Sequence, residues 1–121
     1  MSAAFIPAPV KAPVSKEVLD AVDVRVGRIE AVECIEGADR LVALWVNFGD
    51  HHRRVVAGIK QERDDARAVI GMQTLFVVNI EARRIRGILS EAMLFDIGYA
   101  DGILPTLAVP DRAIPNGARA G

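Results

Sequence analysis

The sequence contains few of the residues on which catalysis and metal binding depend. Cys34 is the only cysteine, so no intramolecular disulfide can form and a reducing compartment is expected. Serine occurs only at positions 2, 15 and 90, and none of the three lies in the G-x-S-x-G sequence of a nucleophile elbow. His51 and His52 are adjacent, and along a strand they would point to opposite faces rather than share a metal ion. We therefore expect a protein that is not an enzyme and that holds neither a metal nor a cofactor.

Long apolar runs and an excess of one charge are also missing. No stretch approaches the ~18 apolar residues of a transmembrane helix, and Pro7, Pro9 and Pro13 interrupt the apolar N-terminus, unlike the core of a signal peptide. We expect no membrane insertion and a cytoplasmic location. The net charge of −1 gives no general attraction to nucleic acid, so any binding of an anion must be local.

Apolar residues, in contrast, make up 51% of the 121 residues. A chain of this length forms one domain, and we place that domain at residues 15–121, after an extended arm rich in proline and alanine at residues 1–14. The apolar content exceeds what a small monomer with a polar surface needs. Part of the apolar surface is therefore expected to be covered by a partner, most simply in a homodimer.

The apolar pattern predicts five β-strands. The first, at residues 22–32, alternates strictly, but the parity of its alternation changes at Gly27, which predicts a β-bulge there. The other four strands are expected at residues 41–50, 53–60, 72–80 and 90–98.

The second strand predicts which of its side chains face the core. Its even positions are Val42, Leu44, Val46 and Phe48, a continuous apolar face that we assign to the core. The odd positions, from residue 41 to residue 47, are then expected to face solvent. Trp45 is one of them, so this tryptophan should lie on the outer face of the strand.

Two short helical segments complete the pattern. Ser15 is placed to cap a helix at residues 16–21, and the polar segment at residues 61–71, between the third and fourth strands, is compatible with a helix. Five strands with one helical connection predict an all-β chain folded as a five-stranded OB-fold Greek-key barrel with N- and C-terminal extensions. An SH3-like barrel is the alternative, although it explains the helical connection less well.

Three arginines in four positions distinguish the segment between the fourth and fifth strands. The sequence NIEARRIRG, residues 79–87, places Arg83, Arg84 and Arg86 directly after an apolar run. They could form a solvated turn with an ion pair to Glu81 or Glu91. They could equally contact an anionic ligand, since the guanidinium fork suits phosphate and carboxylate.

Several of these segments resemble one known family. VRVGRI, GADRL, AGIKQ, NIEARRIRGILSEAML and VPDRAIPNGARAG are similar, in order and spacing, to the stand-alone tRNA-binding-domain family, in particular to its CsaA-type protein-export chaperones. The similarity extends from about Asp20 to Gly121. It implies an OB-fold core and a homodimer, in agreement with the fold and the apolar content deduced above.

The resemblance also implies binding functions. CsaA-type proteins hold unfolded precursor polypeptides for export, and the wider family binds tRNA by its shape. The residues that match the family's RNA-contacting segment are Asn79, Arg83, Arg84, Arg86 and Ser90. For a polypeptide ligand we expect contacts from Trp45, Arg84 and Arg86. The sequence alone favours a chaperone for precursor polypeptides with tRNA-binding capacity; the alternatives are a tRNA-binding factor and a passive protein-interaction module.

Overall fold

Seven strands and one α-helix form the fold of residues 4–59 and 65–121, the part of the chain that the structure, a computed structural model, describes. The elements, in chain order, are α1 (Lys16–Asp20), β1 (Val24–Cys34), β2 (Val42–Asn47), β3 (His52–Ala57), β4 (Gln73–Val77), β5 (Arg83–Ile85), β6 (Ile88–Ser90) and β7 (Met93–Leu94). A 3-10 turn at Ala66–Val69 precedes β4, and a second one, at Tyr99–Asp101, follows β7.

The main sheet is a nearly closed barrel of five antiparallel strands. Its order is β3-β2-β1-β4-β7, and β7 at one edge lies against β3 at the other. This arrangement confirms the predicted all-β, OB-like fold class. The remaining two strands, β5 and β6, form a separate two-stranded sheet among the described residues, a hairpin in the connection between β4 and β7.

The barrel interior is filled as the alternation in β2 predicts. Val42, Leu44 and Val46 are completely buried, and Phe48 is nearly so. They pack with buried residues of the other strands, among them Ile29, Val55 and Phe76. The tryptophan of β2 lies on the opposite face, as expected, and 42% of its side chain is exposed.

Of the four odd positions expected to face solvent, Trp45 is exposed, Leu41 and Asn47 are half-buried, and Ala43 is fully covered. Ala43 is buried in a small second cluster with Ile35, Ala38 and Val56. The hairpin β5–β6 packs against this cluster through its two isoleucines, 85 and 88. The alternation identified the outer side of the strand correctly, but it could not show that a segment distant in sequence covers one end of that side.

The predicted bulge in β1 lies three residues later than expected. Pairing with β4 passes without interruption through Gly27, and the register with β2 shifts between Ile29 and Ala31. Glu30 is therefore the bulged residue. Gly27 occupies a core position, where a Cβ atom would lie 2.5 Å from Val46 Cγ1. A glycine shows no side-chain parity, so the sequence pattern assigned the change of face to the wrong residue.

The N-terminal helix forms as predicted, but its apolar side chains do not pack on the barrel. The Ser15 hydroxyl accepts a hydrogen bond from the Val18 amide at 3.2 Å, which is the expected cap. Val18 and Leu19 are nevertheless more than half exposed. Residues 4–14 contain neither helix nor strand. The N-terminal segment therefore presents a first exposed apolar surface.

A second apolar surface follows β7. Within residues 93–104 the large apolar side chains that are exposed are Met93, Phe95, Ile97, Tyr99, Ile103 and Leu104. Many of the apolar residues in the composition are thus exposed on the surface and not buried in the core.

Two elements of the sequence-based prediction lie partly outside the described residues. The expected helical segment at residues 61–71 is represented by the 3-10 turn Ala66–Val69, and residues 61–64 are not described. The same holds for the last two residues of GIKQ, positions 60 and 61. Among the helices that the structure describes, none is long and apolar enough to cross a membrane.

Substitution of Gly27 tests the packing of the barrel corner. We expect Gly27→Ala to lower the free energy of unfolding by about 1–3 kcal/mol, because the new methyl group must displace Val46 and Phe48 in a filled core. Urea unfolding followed by fluorescence measures the change.

The matched control is Gly58→Ala, since the nearest atoms to a Cβ at this glycine are 3.8 and 3.9 Å away. It should leave the unfolding midpoint nearly unchanged. Equal effects of the two substitutions would show that Gly27 is not required by packing.

Candidate nucleic-acid interface

Five side chains of β1, β2 and β3 share the side of the sheet that faces away from the core. The registers pair Arg28 with Asn47, Asn47 with His52, and Trp45 with Arg54 across adjacent strands. Directly paired residues in an antiparallel sheet share a face. These five side chains therefore lie on the side of the sheet away from the core, which we call the outer face.

Trp45 and His52 form a stacked pair on the outer face. Their ring centroids are 5.3 Å apart and their planes differ by 12°, within the range of offset stacking. The other histidine, His51, lies apart from this pair, with its ring 5.5 Å from that of Phe48. The two histidines are thus separated, and the described residues contain no group of three or more His, Cys, Asp or Glu side chains that could hold a metal ion.

The bulged residue Glu30 fixes the histidine of this pair. Its Oε1 is 2.6 Å from His52 Nε2, while its Oε2 accepts from Arg28 Nη2 at 2.9 Å and from Asn47 Nδ2 at 3.2 Å. Hydrogen bonds from Arg28, His52 and Asn47 lower the pKa of Glu30 from 4.5 to about 2. Because an ionised carboxylate only accepts hydrogen bonds, His52 must carry its proton on Nε2.

The arginine segment is a two-residue hairpin with a tight turn. Arg83 pairs with Ser90, and Ile85 pairs with Ile88. The two turn residues have positive φ, 52° for Arg86 and 81° for Gly87. This is the combination that a type I′ turn requires, and Gly, Asn or Asp usually provide it. Arg86 is the only residue other than glycine with positive φ in the described part of the chain.

The three arginines are exposed and largely free of internal partners. Arg84 Nη1 donates to the Gly87 carbonyl at 3.3 Å, and among the described residues neither Arg83 nor Arg86 has a side-chain hydrogen bond or an ion pair. The predicted alternative, an ion pair with Glu81 or Glu91, is not formed. Instead, a Glu91 oxygen accepts from the backbone amide of Arg54 at 3.3 Å.

The hairpin lies against the outer face beside the stacked rings. Its isoleucines pack on the second cluster. Two members of that cluster, Ala43 and Val56, are two residues away from Trp45 and Arg54 along β2 and β3. One two-residue repeat of a strand is about 6.7 Å. The fold therefore brings Trp45 and the arginine hairpin, 38 or more positions apart in sequence, to the same side of the barrel.

The other two residues of the RNA-contact prediction are engaged within the protein. The Asn79 amide accepts from the Asp23 backbone N–H at 2.8 Å and donates to the Ala21 carbonyl at 2.7 Å. Ser90 is only 5% exposed; its hydroxyl accepts from the Val56 amide at 3.0 Å and donates to the Ala92 carbonyl at 3.1 Å. These bonds anchor the two ends of the hairpin segment.

Neighbouring arginines in β3 have different environments. Arg53 points toward the barrel end, where its Nη1 donates to the carbonyls of Val78 at 2.7 Å and Glu91 at 3.0 Å. Arg54 is exposed on the outer face. Sequence alternation predicts that only one of the two can join a surface patch, but the choice depends on the register with β2.

Sequence reasoning did not find Glu30 or His52 as members of the candidate site, and it left open whether Arg53 or Arg54 belongs to it. The available signal was Trp45 on an outer face, opposite a polar segment rich in histidine and arginine. Pairing that segment with Trp45 required the β2–β3 register. A groove of about 580 Å³ is lined mainly by residues 71–73 and 109–116 and reaches the outer face at Arg28, but it contains no residue of the stacked pair or the hairpin.

Comparison with known proteins places the chain among OB-fold binding domains. The sequence model described as "Putative tRNA binding domain" matches residues 24–119. The structure is similar to a MetRS-related protein from Pyrococcus horikoshii, with 26% identity, a TM-score of 0.84 and coverage of 92% of this chain and 100% of that one.

Two chaperones named CsaA are also similar in structure. The protein from Bacillus anthracis has 26% identity and a TM-score of 0.80, and the match covers 91% of this chain and 100% of that one. The protein from Picrophilus torridus has 22% identity and a TM-score of 0.76, with coverage of 90% and 100%; this last likeness concerns the fold alone.

The depressed pKa of Glu30 predicts a pH-dependent contribution to stability. A carboxyl whose pKa is lower in the folded state than in the unfolded state stabilises the fold above the unfolded pKa. For Glu30 this stabilisation should be complete above pH 5 and decrease as the pH falls through 4.5 toward 2. The difference in unfolding free energy between wild type and Glu30→Gln should therefore narrow between pH 6 and pH 3, as measured by urea unfolding.

Glu33→Gln provides the control, because no described residue forms an ion pair with this exposed glutamate of the same strand. The difference in unfolding free energy between Glu33→Gln and wild type should vary less with pH than that of Glu30→Gln. A Glu30→Gln difference that stays constant from pH 6 to pH 3 would contradict the assigned hydrogen bonds.

Proposed function

The chain belongs to the tRNA-binding-domain family, and from this premise we propose that it is a non-catalytic RNA-binding protein with tRNA as its first ligand. The observation that carries the proposal is the arginine hairpin. Arg83 and Arg86 are exposed, have no internal partner among the described residues and are held beside the outer face of an OB-like barrel. This is where OB folds bind oligonucleotides, on strands 2 and 3 and the adjoining loops.

Phosphate is the group that this hairpin suits. An unpaired guanidinium donates two parallel hydrogen bonds to phosphate oxygens, and exposure keeps its desolvation cost low. The left-handed backbone of Arg86 adds a further argument. A glycine or asparagine would adopt that conformation with less strain, so an arginine there is better explained by contact with a ligand than by stability.

Asn79 and Ser90 contribute to the interface by positioning the hairpin. Both side chains use their hydrogen-bonding groups within the protein. The Asn79 amide joins the residues before β1 to the start of the hairpin segment, and the Ser90 hydroxyl joins its end to β3. A hairpin fixed at both ends loses little conformational freedom when RNA binds.

RNA takes precedence over polypeptide because of what surrounds Trp45. An unfolded polypeptide would favour an extended apolar surface around this ring. Its cross-strand and same-face neighbours are two small residues, Ala31 and Ala43, and the polar residues Asn47, His52 and Arg54, with Glu30 bonded to His52. A polar and charged surface around one aromatic pair supports a nucleotide ligand more than an apolar segment.

Removal of the hairpin charges should weaken binding of tRNA. We expect Arg84→Ala combined with Arg86→Asn to lower affinity at least roughly tenfold, since a hydrogen bond to a charged group contributes about 1.5–3 kcal/mol. The negative slope of log affinity against log salt should become shallower by roughly 0.7–0.9 for each phosphate that the variant no longer neutralises. Asparagine is chosen at position 86 because it tolerates positive φ. Filter binding of bulk tRNA over a salt titration measures both quantities.

The control variant combines Arg67→Ala with Arg112→Ala. It removes the same number of positive charges, but from the first 3-10 turn and the C-terminal loop. It should retain most of the affinity and the salt slope. An equal loss of affinity in the two double variants would show that tRNA binding depends on net charge alone, and it would reject the hairpin as the binding site. Undetectable tRNA binding by the wild type would reject the proposed function itself.

A second candidate function is the holding of unfolded precursor polypeptides by a homodimer. Two observations favour it: the large apolar surfaces of residues 4–22 and 93–104, and the 26% identity to the chaperone CsaA of Bacillus anthracis. Met93, Phe95 and Ile97 alternate along one exposed side of a segment that begins in the edge strand β7. We propose that this side is covered in a homodimer and that the remaining apolar surface, including the N-terminal arm, holds client chains in the cytoplasm.

Interruption of this apolar side should dissociate the dimer. We expect the wild type to sediment near twice the mass of the 13.1 kDa chain, Ile97→Asp to sediment as a folded monomer, and the control Ile70→Asp to remain dimeric. Isoleucine 70 is also exposed, but it directly follows the first 3-10 turn rather than β7. Analytical ultracentrifugation measures the mass.

The holding activity is measured in the same preparations by light scattering from a chemically denatured protein diluted into buffer. The wild-type protein, at a low micromolar concentration and in excess over the denatured protein, should suppress the scattering. A monomeric wild type would reject the homodimer, and unsuppressed scattering would reject the chaperone role. If tRNA is not bound either, only the passive interaction module is left.

A further inference from the structure

The stacked rings of Trp45 and His52 form a surface whose geometry is fixed before any ligand arrives. The Trp45 side chain is 42% exposed, and its ring lies nearly parallel to an imidazole whose Nε2 is 2.6 Å from Glu30. Glu30 is in turn held by Arg28 and Asn47. Neither the imidazole nor the carboxylate can rotate without breaking a hydrogen bond. An exposed aromatic surface that is already ordered loses little entropy on binding.

We infer that Trp45 and His52 form a stacking site for one unpaired RNA base, with Trp45 as the contact residue and His52 and Glu30 as positioning residues. This inference rests on the proposed RNA-binding function and specifies which part of the RNA is bound. Paired bases are stacked on their neighbours and present no free face to a protein. A base from a loop or an end can stack on an aromatic side chain, whatever its identity.

The charges around the two rings indicate the direction of the RNA backbone. The acids Glu33 and Glu36 lie on the β1 side, at the end of that strand and in the loop that follows it. Arg28 on β1 is paired with Glu30, whereas Arg54 and the hairpin arginines, which form no ion pair with a described residue, lie on the β3 side. There Arg54 is the direct cross-strand neighbour of Trp45, and the hairpin follows one two-residue repeat farther along. Glu91 on this side accepts a hydrogen bond from the Arg54 amide. The phosphates are therefore expected on the β3 side, while the base reaches across Arg54 to the ring of Trp45.

Glu30 does not oppose this arrangement, although it is an acid beneath the site. Its carboxylate accepts hydrogen bonds from one arginine, one histidine and one amide. The surrounding donors offset its charge, so its main effect is to hold the imidazole ring parallel to the indole. The Nε2 proton points to the carboxylate, and the face of the ring contacts Trp45.

The sequence supplies its own probe, because Trp45 is the only tryptophan. We expect its fluorescence to be strongly quenched on titration of the full-length protein with single-stranded oligo(rA) of eight nucleotides. An oligonucleotide of the same length with abasic sugars should bind by its phosphates and leave the fluorescence nearly unchanged. Quenching of equal extent by both would overturn the inference, as would no quenching at a saturating concentration of oligo(rA).

Substitutions separate stacking from charge. Trp45→Leu should weaken oligo(rA) binding roughly tenfold, the usual effect of removing a base–aromatic stack, without a change in salt slope, and Trp45→Phe should restore most of the affinity. The hairpin variant, Arg84→Ala with Arg86→Asn, should instead make the negative salt slope shallower and leave the quenching at saturation unchanged. Affinity of Trp45→Leu equal to that of wild type, measured by fluorescence anisotropy of a labelled oligonucleotide, would contradict the stacking site.

The role of His52 is tested by a ring that cannot hydrogen-bond. His52→Phe keeps a stacking partner and removes the bond to Glu30, whereas His52→Ala removes both. We expect affinity for oligo(rA) in the order wild type, Phe, Ala; equal affinity of the alanine variant and wild type would remove His52 from the site.

The outcome also distinguishes this inference from the function on which it rests. Binding of tRNA that depends on the hairpin but leaves Trp45 fluorescence and the Trp45→Leu affinity unchanged rejects the stacking site alone. Quenching of Trp45 by an unfolded polypeptide, and not by oligo(rA), would assign the rings to a protein ligand instead.

Discussion

The bend of β1 at Glu30 is the feature on which both the barrel and the candidate site depend. β1 pairs with β4 from Val24 to Arg28 and with β2 from Arg28 to Cys34, and the register with β2 shifts at the bulge. One long strand thus belongs to both halves of the barrel, which a flat strand could not do. The C-terminal segment completes the fold, because Gly117, Ala118 and Ala120 form backbone hydrogen bonds with β1. The same bulge turns the Glu30 carboxylate toward the outer face, where it holds His52 against Trp45.

The hairpin illustrates how structural and binding roles are divided among adjacent residues. The isoleucines attach it to the barrel, and Asn79 and Ser90 fix its ends. Among the described residues, the side chains of the arginines between them form one hydrogen bond, from Arg84 to the Gly87 carbonyl, and no ion pair. Backbone strain is confined to Arg86, within a turn that Gly87 makes possible. Such a segment is ordered without its ligand and leaves its cations unpaired, the combination that binding of a polyanion favours.

The barrel was largely predictable from local patterns, and the site only in part. Alternation located β2 and its core face, because each buried side chain is two positions from the next. It failed at Gly27, whose missing side chain carries no information on parity, and at Ala43, whose cover comes from a hairpin more than 40 positions away. Family resemblance selected Asn79 and Ser90 together with the arginines, but it could not distinguish side chains that contact a ligand from those that anchor the hairpin. That distinction depends on hydrogen-bond partners.

The sequence by itself determined the strand pattern, the outward position of Trp45, the cluster of arginines and the near-neutral charge. These properties are local or additive, so they follow from the order and number of residues alone. Only the tertiary structure decided that Trp45 meets His52, that Glu30 holds that histidine, and that Arg54 rather than Arg53 joins the outer face. The reason is physical: register and closure of a barrel are set by contacts between distant segments, and a shift of one residue would reverse the face of every side chain.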